Sequence, residues 1–258
     1  MKNKNIWITG ASSGIGRQLA IDLAPHNRVL ISSRKSEILH QVKQSNPNQI
    51  DVLPFDLADY LQAEQWVENA IKQFNEIDIL VLNGGVSQRS LIIDTKIEVD
   101  ERLIQIDYLA NVALAKVILP YFIKKGGGQI VVVTSLLGKF GTPYRSGYAG
   151  AKHALHGFFD VLRQEHQKDG IEVTLICPGF VNTQVAFNAL NENGEAQKAQ
   201  DEATAQGMEV EVFSKKMIRA ISQKKKEAYI GQKEIFAVYI KRFFPSILDF
   251  IILRSKVR

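Results

Sequence analysis

The chain has 258 residues, 45% of them hydrophobic and 23% charged, with a net charge of +5. These are the proportions of a soluble globular protein, long enough for one large or two small domains around a sizeable core. A single cysteine, Cys177, excludes an intramolecular disulfide and fits a reducing, cytoplasmic compartment.

Residues 6–9 read as a first strand, an apolar run too short for a signal-peptide core or a membrane span. It ends in Thr9-Gly10-Ala11-Ser12-Ser13-Gly14-Ile15-Gly16, which opens a helix to about residue 23. Glycines allow a tight turn and the close approach of a ligand to the backbone. The helix N-terminus then offers free N–H groups and a positive dipole end to a phosphate. The spacing is G-x-x-x-G-x-G rather than the commoner G-x-G-x-x-G, but a strand precedes it and a helix follows.

Residues 28–33 read as a second strand, ending at Ser33-Arg34-Lys35. In a dinucleotide-binding fold this position reads the adenosine ribose: an acid suits a 2′-hydroxyl and an arginine suits a 2′-phosphate. With Arg34 and no acid, NADP(H) is expected rather than NAD; the plainer alternative is that Arg34 is a surface residue at a strand end. A polar helix over 36–44 and a strand over 49–55 follow, the strand weakened near its end by Pro54. Asp56-Leu57 is placed to meet the adenine edge, or Asp56 caps a helix.

Helical spacing over 61–74, a strand over 78–82, a long helix over 99–122 and a strand over 128–134 continue the alternation. A helix from Tyr148 to about residue 166 leads to a strand over 171–176. The pattern predicts an α/β fold: one Rossmann-like, doubly wound domain over 1–258, with a mainly parallel seven-stranded sheet flanked by helices. Residues 188–206 are polar and lack a strong apolar stripe, so a substrate flap is expected over about 184–212, mobile or loosely packed. A helix over 213–221 and a last strand over 227–231 complete the set. About 234–258 forms a basic, apolar C-terminal extension. Its run 243–253 is interrupted by Pro245 and Asp249 and is too short to span a bilayer. From residue 213 onward lysine and arginine, Lys256 and Arg258 among them, outnumber Glu227, Glu234 and Asp249. That is either a solvated face or an attraction to an anionic surface.

Tyr148 and Lys152 stand at i and i+4, so a helix carries phenol and ammonium on one face. The ammonium would favour the phenolate form and make the pair a proton donor and acceptor at neutral pH. Tyr144 and Ser146 have no lysine four residues on. His153 and His156 lack a third ligand at useful spacing, so no metal site is expected and both read as helix-surface or interface residues.

Taken together, these motifs resemble the short-chain dehydrogenase/reductase family over nearly all of residues 4–185. The resemblance rests on the glycine turn, Asn83-Gly84-Gly85, Ser135, Tyr148 with Lys152, and Pro178-Gly179-Phe180-Val181-Asn182-Thr183, in family order. Ser135 precedes Tyr148 by thirteen residues, the family spacing. The resemblance implies an NADP(H)-dependent oxidoreductase that moves a hydride between nicotinamide and a carbonyl or alcohol. Tyr148 would be its general acid/base. Ser135 would hold the carbonyl, Lys152 would bind the nicotinamide ribose, and Thr183 would contact the nicotinamide amide. Gly10, Ser12, Ser13, Gly14, Ile15, Gly16, Arg34, Asp56, Leu57, Asn83, Gly84, Gly85, Pro178, Gly179 and Val181 would complete the cofactor site.

Two departures stand out. Leu82-Asn83-Gly84-Gly85 replaces the family's N-N-A-G, and Asp107 takes the place of an asparagine that helps hold a water relay to the lysine. An ionised Asp107 would weaken the pull of Lys152 on Tyr148; a role confined to a backbone bulge would tolerate it. The alternative reading is therefore a nucleotide-binding regulatory or weakly active protein. The expected partners are a small carbonyl or alcohol substrate, lipid-like if the C-terminus lines its pocket, and a second copy in a homodimer or homotetramer using Phe158 and Phe159. No nucleic-acid partner is expected. Peripheral membrane contact through 243–253 is a further expectation.

Overall fold

Alternation along the first strand, β1 (Asn5–Thr9), divides the core in two. Ile6 and Ile8 face one side of the sheet with Val29, Ile31 and Leu19; Trp7 faces the other with Leu30, Leu80 and Phe159. The Trp7 indole N–H is satisfied within the core by Ser32 Oγ at 2.9 Å. These relationships come from a computed structural model that describes residues 1–255; Lys256 and Arg258 of the basic tail lie outside the described residues.

The remaining strands are β2 (Arg28–Ser32), β3 (Ile50–Val52), β4 (Ile79–Leu82), β5 (Gly128–Val133), β6 (Ile171–Pro178) and β7 (Glu227–Ile230). They form one seven-stranded sheet in the order β3-β2-β1-β4-β5-β6-β7, and every pairing between them is parallel. This is the doubly wound sheet expected from the alternating pattern. On one face lie α1 (Gly14–Leu23), α2 (Ser36–Lys43) and α8 (Val210–Ser222); on the other lie α3 (Ala63–Phe74), α5 (Ala110–Lys125) and α6 (Ser146–Glu165). The chain reverses direction across the sheet between β1 and β4, which opens a crevice at their carboxyl ends.

Several boundaries differ from the pattern. The third strand is short, ending before Pro54, and a 3₁₀ stretch (Leu57–Gln62) precedes α3. The sixth strand runs two residues further, to Pro178, because Leu175 to Pro178 pair with β7. The long helix is not uniform: α4 (Ile97–Ile104) passes through a π turn (Gln105–Leu109) into α5. By length and composition the helix Ile97–Lys125 could cross a membrane, yet Leu103, Leu114, Ile118 and Phe122 are fully buried in protein.

The polar segment is better anchored than its composition suggests. Arg89 binds Asp201 at 2.7 Å with both side chains nearly buried, and Ala186, Ala189 and Leu190 are enclosed. A short helix, α7 (Glu202–Ala205), is capped by Asp201. The apolar finish folds as two helices, α9 (Phe236–Phe243) and α10 (Pro245–Arg254). Two expectations for α6 are corrected. Phe159 is fully buried in the core and His156 is 94% enclosed, so neither is a surface residue; the inner face of a helix packed on a sheet takes both.

Candidate active site

The carboxyl ends of β1 and β4 are stapled by Thr9. Its Oγ1 accepts from the Asn83 and Gly84 N–H groups, each at 3.1 Å. The Asn83 amide donates in turn to the carbonyls of Thr9 and Gly10 at 3.0 and 3.2 Å. Gly10 has φ +67°, and a side chain there would place Cβ 2.8 Å from the Gly84 nitrogen. The turn is thus bare backbone by steric necessity. Ser13 precedes α1 in extended conformation and gives it no side-chain cap, and the first turn holds no acid. A helix N-terminus left in this state suits an anion.

A cleft of about 730 Å³ opens over this turn. Its wall carries Gly10, Ser12, Ser13, Gly14, Ile15, Arg34, Asp56, Leu57, Asn83, Gly84 and Gly85. The same wall continues through Ser135, Tyr148 and Lys152 to Pro178, Gly179, Val181 and Thr183. Residues scattered over the sequence therefore meet in one space. Gly16, expected to touch a cofactor, is not on the wall. It packs beneath the turn, where a Cβ would lie 2.6 Å from the Gly10 carbonyl oxygen. Asp56 caps the 3₁₀ stretch that follows, its Oδ1 accepting from Ala58 N–H at 3.0 Å, while Oδ2 lies 3.9 Å from Arg34.

Ser135 leaves β5 in extended conformation, and its Oγ accepts the Leu137 N–H at 3.1 Å. With a lone pair so engaged, its own O–H is available to donate into the cleft. Tyr148 stands in the first turn of α6, one helical turn before Lys152. The Lys152 ammonium is buried, donates to the Val133 carbonyl at 3.3 Å, and lies 5.5 Å from the centre of the Tyr148 ring.

Asp107 is off the wall, fully buried behind Gly85. Its Oδ1 accepts the Val86 N–H at 2.7 Å, and Oδ2 has no hydrogen-bond partner. Burial pushes the carboxyl up to about 6, against the pull of Lys152 and of the Val86 N–H. It sits inside the π turn, where Ala110 N–H reaches back to the Gln105 carbonyl and the Asn111 amide donates to the Asp107 carbonyl at 2.8 Å.

Two positioning residues, Gln88 and Glu234, escaped the sequence. Gln88 is fully buried, and its Oε1 accepts the Gly147 and Tyr148 N–H groups at 2.9 and 3.3 Å, capping α6 from another segment. Glu234 accepts the Phe180 N–H at 3.0 Å and so ties the Pro178–Thr183 loop to the C-terminal region. Leu248, Ile251 and Ile252 of α10 line the cleft. The expectation that an apolar C-terminus lines the pocket falls on these three side chains. Elsewhere, His156, Cys177 and Glu227 bring ligand-type atoms within 4.8 Å of one another, but the Lys139 ammonium already holds Glu227 at 2.8 Å.

Comparison with known proteins gives a consistent picture. The family model described as short chain dehydrogenase matches residues 4–194. The chain is 34% identical over 269 residues to dehydrogenase/reductase SDR family member 7B of Bos taurus, covering 100% of this chain and 82% of that one. It is 37% identical over 267 residues to the SDR family protein 7-like of Anopheles gambiae, covering 99% and 84%. A short chain dehydrogenase/reductase from Burkholderia phymatum, solved in complex with NAD, superposes with a TM-score of 0.84 at 18% identity, covering 100% and 97%. An alcohol dehydrogenase from Thermococcus sibiricus, complexed with 5-hydroxy-NADP, gives 0.75 at 20% identity, covering 90% and 97%.

Proposed function

The chain belongs to the short-chain dehydrogenase family, and from that premise we propose that it is an NADP(H)-dependent oxidoreductase acting on a carbonyl/alcohol pair. The observation that carries this reading is the single cleft shared by Ser135, Tyr148, Lys152, the glycine turn and Arg34. The bare Gly10 backbone and the uncapped start of α1 fit a pyrophosphate. Arg34 is half exposed and only loosely paired with Asp56, which leaves its guanidinium available to a 2′-phosphate. Asn83, Gly84, Gly85, Val181 and Thr183 would hold the nicotinamide end. Bound there, the nicotinamide supplies or accepts the hydride.

The protein's own groups handle the proton. The Tyr148 O–H donates to the substrate oxygen during reduction and its phenolate takes a proton from the alcohol during oxidation. Lys152, buried beside it, sets its ammonium 5.5 Å from the centre of the Tyr148 ring. The Ser135 O–H donates to the same substrate oxygen and fixes its position. Leu137, Phe140, Leu190 and the inner face of α10 make the substrate half apolar, which suits a lipid-like carbonyl compound.

Val161 and Ile123 are exposed on α6 and α5, and a second copy covering these faces would give a homodimer or homotetramer. The enclosed, reduced Cys177 agrees with a cytoplasmic setting. The test is NADPH oxidation against a panel of ketones, with Tyr148→Phe as control. Turnover should fall at least ~1000-fold in the variant with NADPH affinity retained. Equal turnover in the two proteins would refute the mechanism.

A further inference from the structure

The C-terminal helices present an apolar face that the fold does not cover. Phe236, Tyr239, Phe243, Phe244, Ile247 and Leu253 are between 51% and 80% exposed. So dense a patch marks a contact site rather than scattered surface residues. The same helix has a second face: Leu248 is 2% exposed, and Leu248, Ile251 and Ile252 line the cleft. Ile251 belongs to both, since it lines the cleft and is 43% exposed, so the mouth of the cleft opens at the edge of the patch. Cations border this surface. Arg242 closes α9, Lys241 lies a loose 4.0 Å from Asp249, and Arg254 lies 3.4 Å from the centre of the Phe250 ring. Glu234, the other acid of the region, is turned inward to the Phe180 N–H.

We infer that α9 and α10 dock the protein on an anionic lipid surface, and that the apolar carbonyl substrate enters the cleft from that surface past Ile251. Aromatic and aliphatic side chains rimmed by Lys and Arg match the interface between headgroups and acyl chains. A second copy fits less well, because a two-fold contact through this face would set Lys241 and Arg242 against their own images and close the mouth. Docking on lipid covers the same side chains and leaves the mouth facing a reservoir of apolar molecules. The entry of substrate rests on the proposed oxidoreductase function; the docking does not.

The experiment uses the full chain and unilamellar vesicles of phosphatidylcholine alone, or mixed with phosphatidylglycerol at about 3:1. A triple variant carries Phe243→Ser, Ile247→Ser and Leu253→Ser, none of which lines the cleft. The parent should co-sediment with the anionic vesicles, and the variant should bind at least ~10-fold more weakly. Its melting temperature and its turnover of a water-soluble ketone should match the parent's, while turnover of a long-chain ketone carried in the vesicles drops ~10-fold. A parent that stays in the supernatant, or a variant that sediments equally, overturns the inference. So does a parent dimer, seen by light scattering, that the three substitutions convert to monomer. Vesicle binding without Tyr148-dependent reduction of any ketone would refute the oxidoreductase reading and leave the docking surface standing.

Discussion

Asp107 and Lys152 converge on Gly85, where an added methyl group would lie 2.7 Å from Oδ1 of one and 3.3 Å from Nζ of the other. The carboxylate is fully buried, and burial outweighs the attraction of the lysine. Its folded-state value of about 6 lies above the ordinary 3.8. Its contribution to stability is therefore complete below about 3.8 and is lost as pH rises through about 6. That difference corresponds to ~3 kcal/mol. Asp107→Asn should accordingly melt at a higher temperature than the parent at pH 8 and at the same temperature at pH 4, by calorimetry. A lower melting temperature at pH 8 would mean that the charge is needed where it stands.

His156 acts in the opposite sense over nearly the same range. Burial, with help from Lys139, pushes its imidazole down from 6.5 to about 4. Its contribution is complete above 6.5 and is lost as pH falls toward about 4, again by ~3 kcal/mol. In the parent the two groups largely offset each other between these values. His156→Gln should remove the acid-sensitive component, so that the variant loses stability with rising pH where the parent stays flat. Denaturant titrations at pH 4.5 and 7 measure this, and a parallel pH profile for both proteins counts against a neutral buried imidazole.

Arg34 sets the cofactor preference in the proposed function. Arg34→Ala should raise the dissociation constant for NADPH by ~10- to 100-fold and change that for NADH by less than ~3-fold. Fluorescence titration of each cofactor reads the two constants directly. An equal loss for both would assign Arg34 to general charge steering instead.

Adjacent glycines should respond differently. An alanine at Gly84, the family's usual residue, would press only on the end of the Leu57 side chain, which can turn away. Gly84→Ala should keep kcat within ~3-fold. Gly85→Ala drives its methyl between Asp107 and Lys152 and should lower kcat by ~100-fold while the melting temperature moves little. Comparable kcat values for the two variants would show that Lys152 is not held by this contact.

The chemistry-bearing residues were legible because their signals are local. Tyr148 and Lys152 are one helical turn apart, and the glycine turn lies between a strand and its helix. Short-range spacing fixes such relations whatever the rest of the chain does. Family order then joined Ser135 and Thr183 to them.

What only the folded chain decided are contacts between residues far apart in sequence. Gln88 caps α6 from 59 residues away, and Asp201 meets Arg89 across 112. Glu234 holds Phe180 across 54. A polar residue reads alike whether solvated or buried, so no pattern marked these partners in advance. The role of Asp107 likewise turned on the π turn and on its complete burial, since a carboxylate's charge is set by its surroundings and not by its neighbours in sequence. Composition announced an apolar C-terminus; only packing split it into one face that lines the cleft and another left open to solvent.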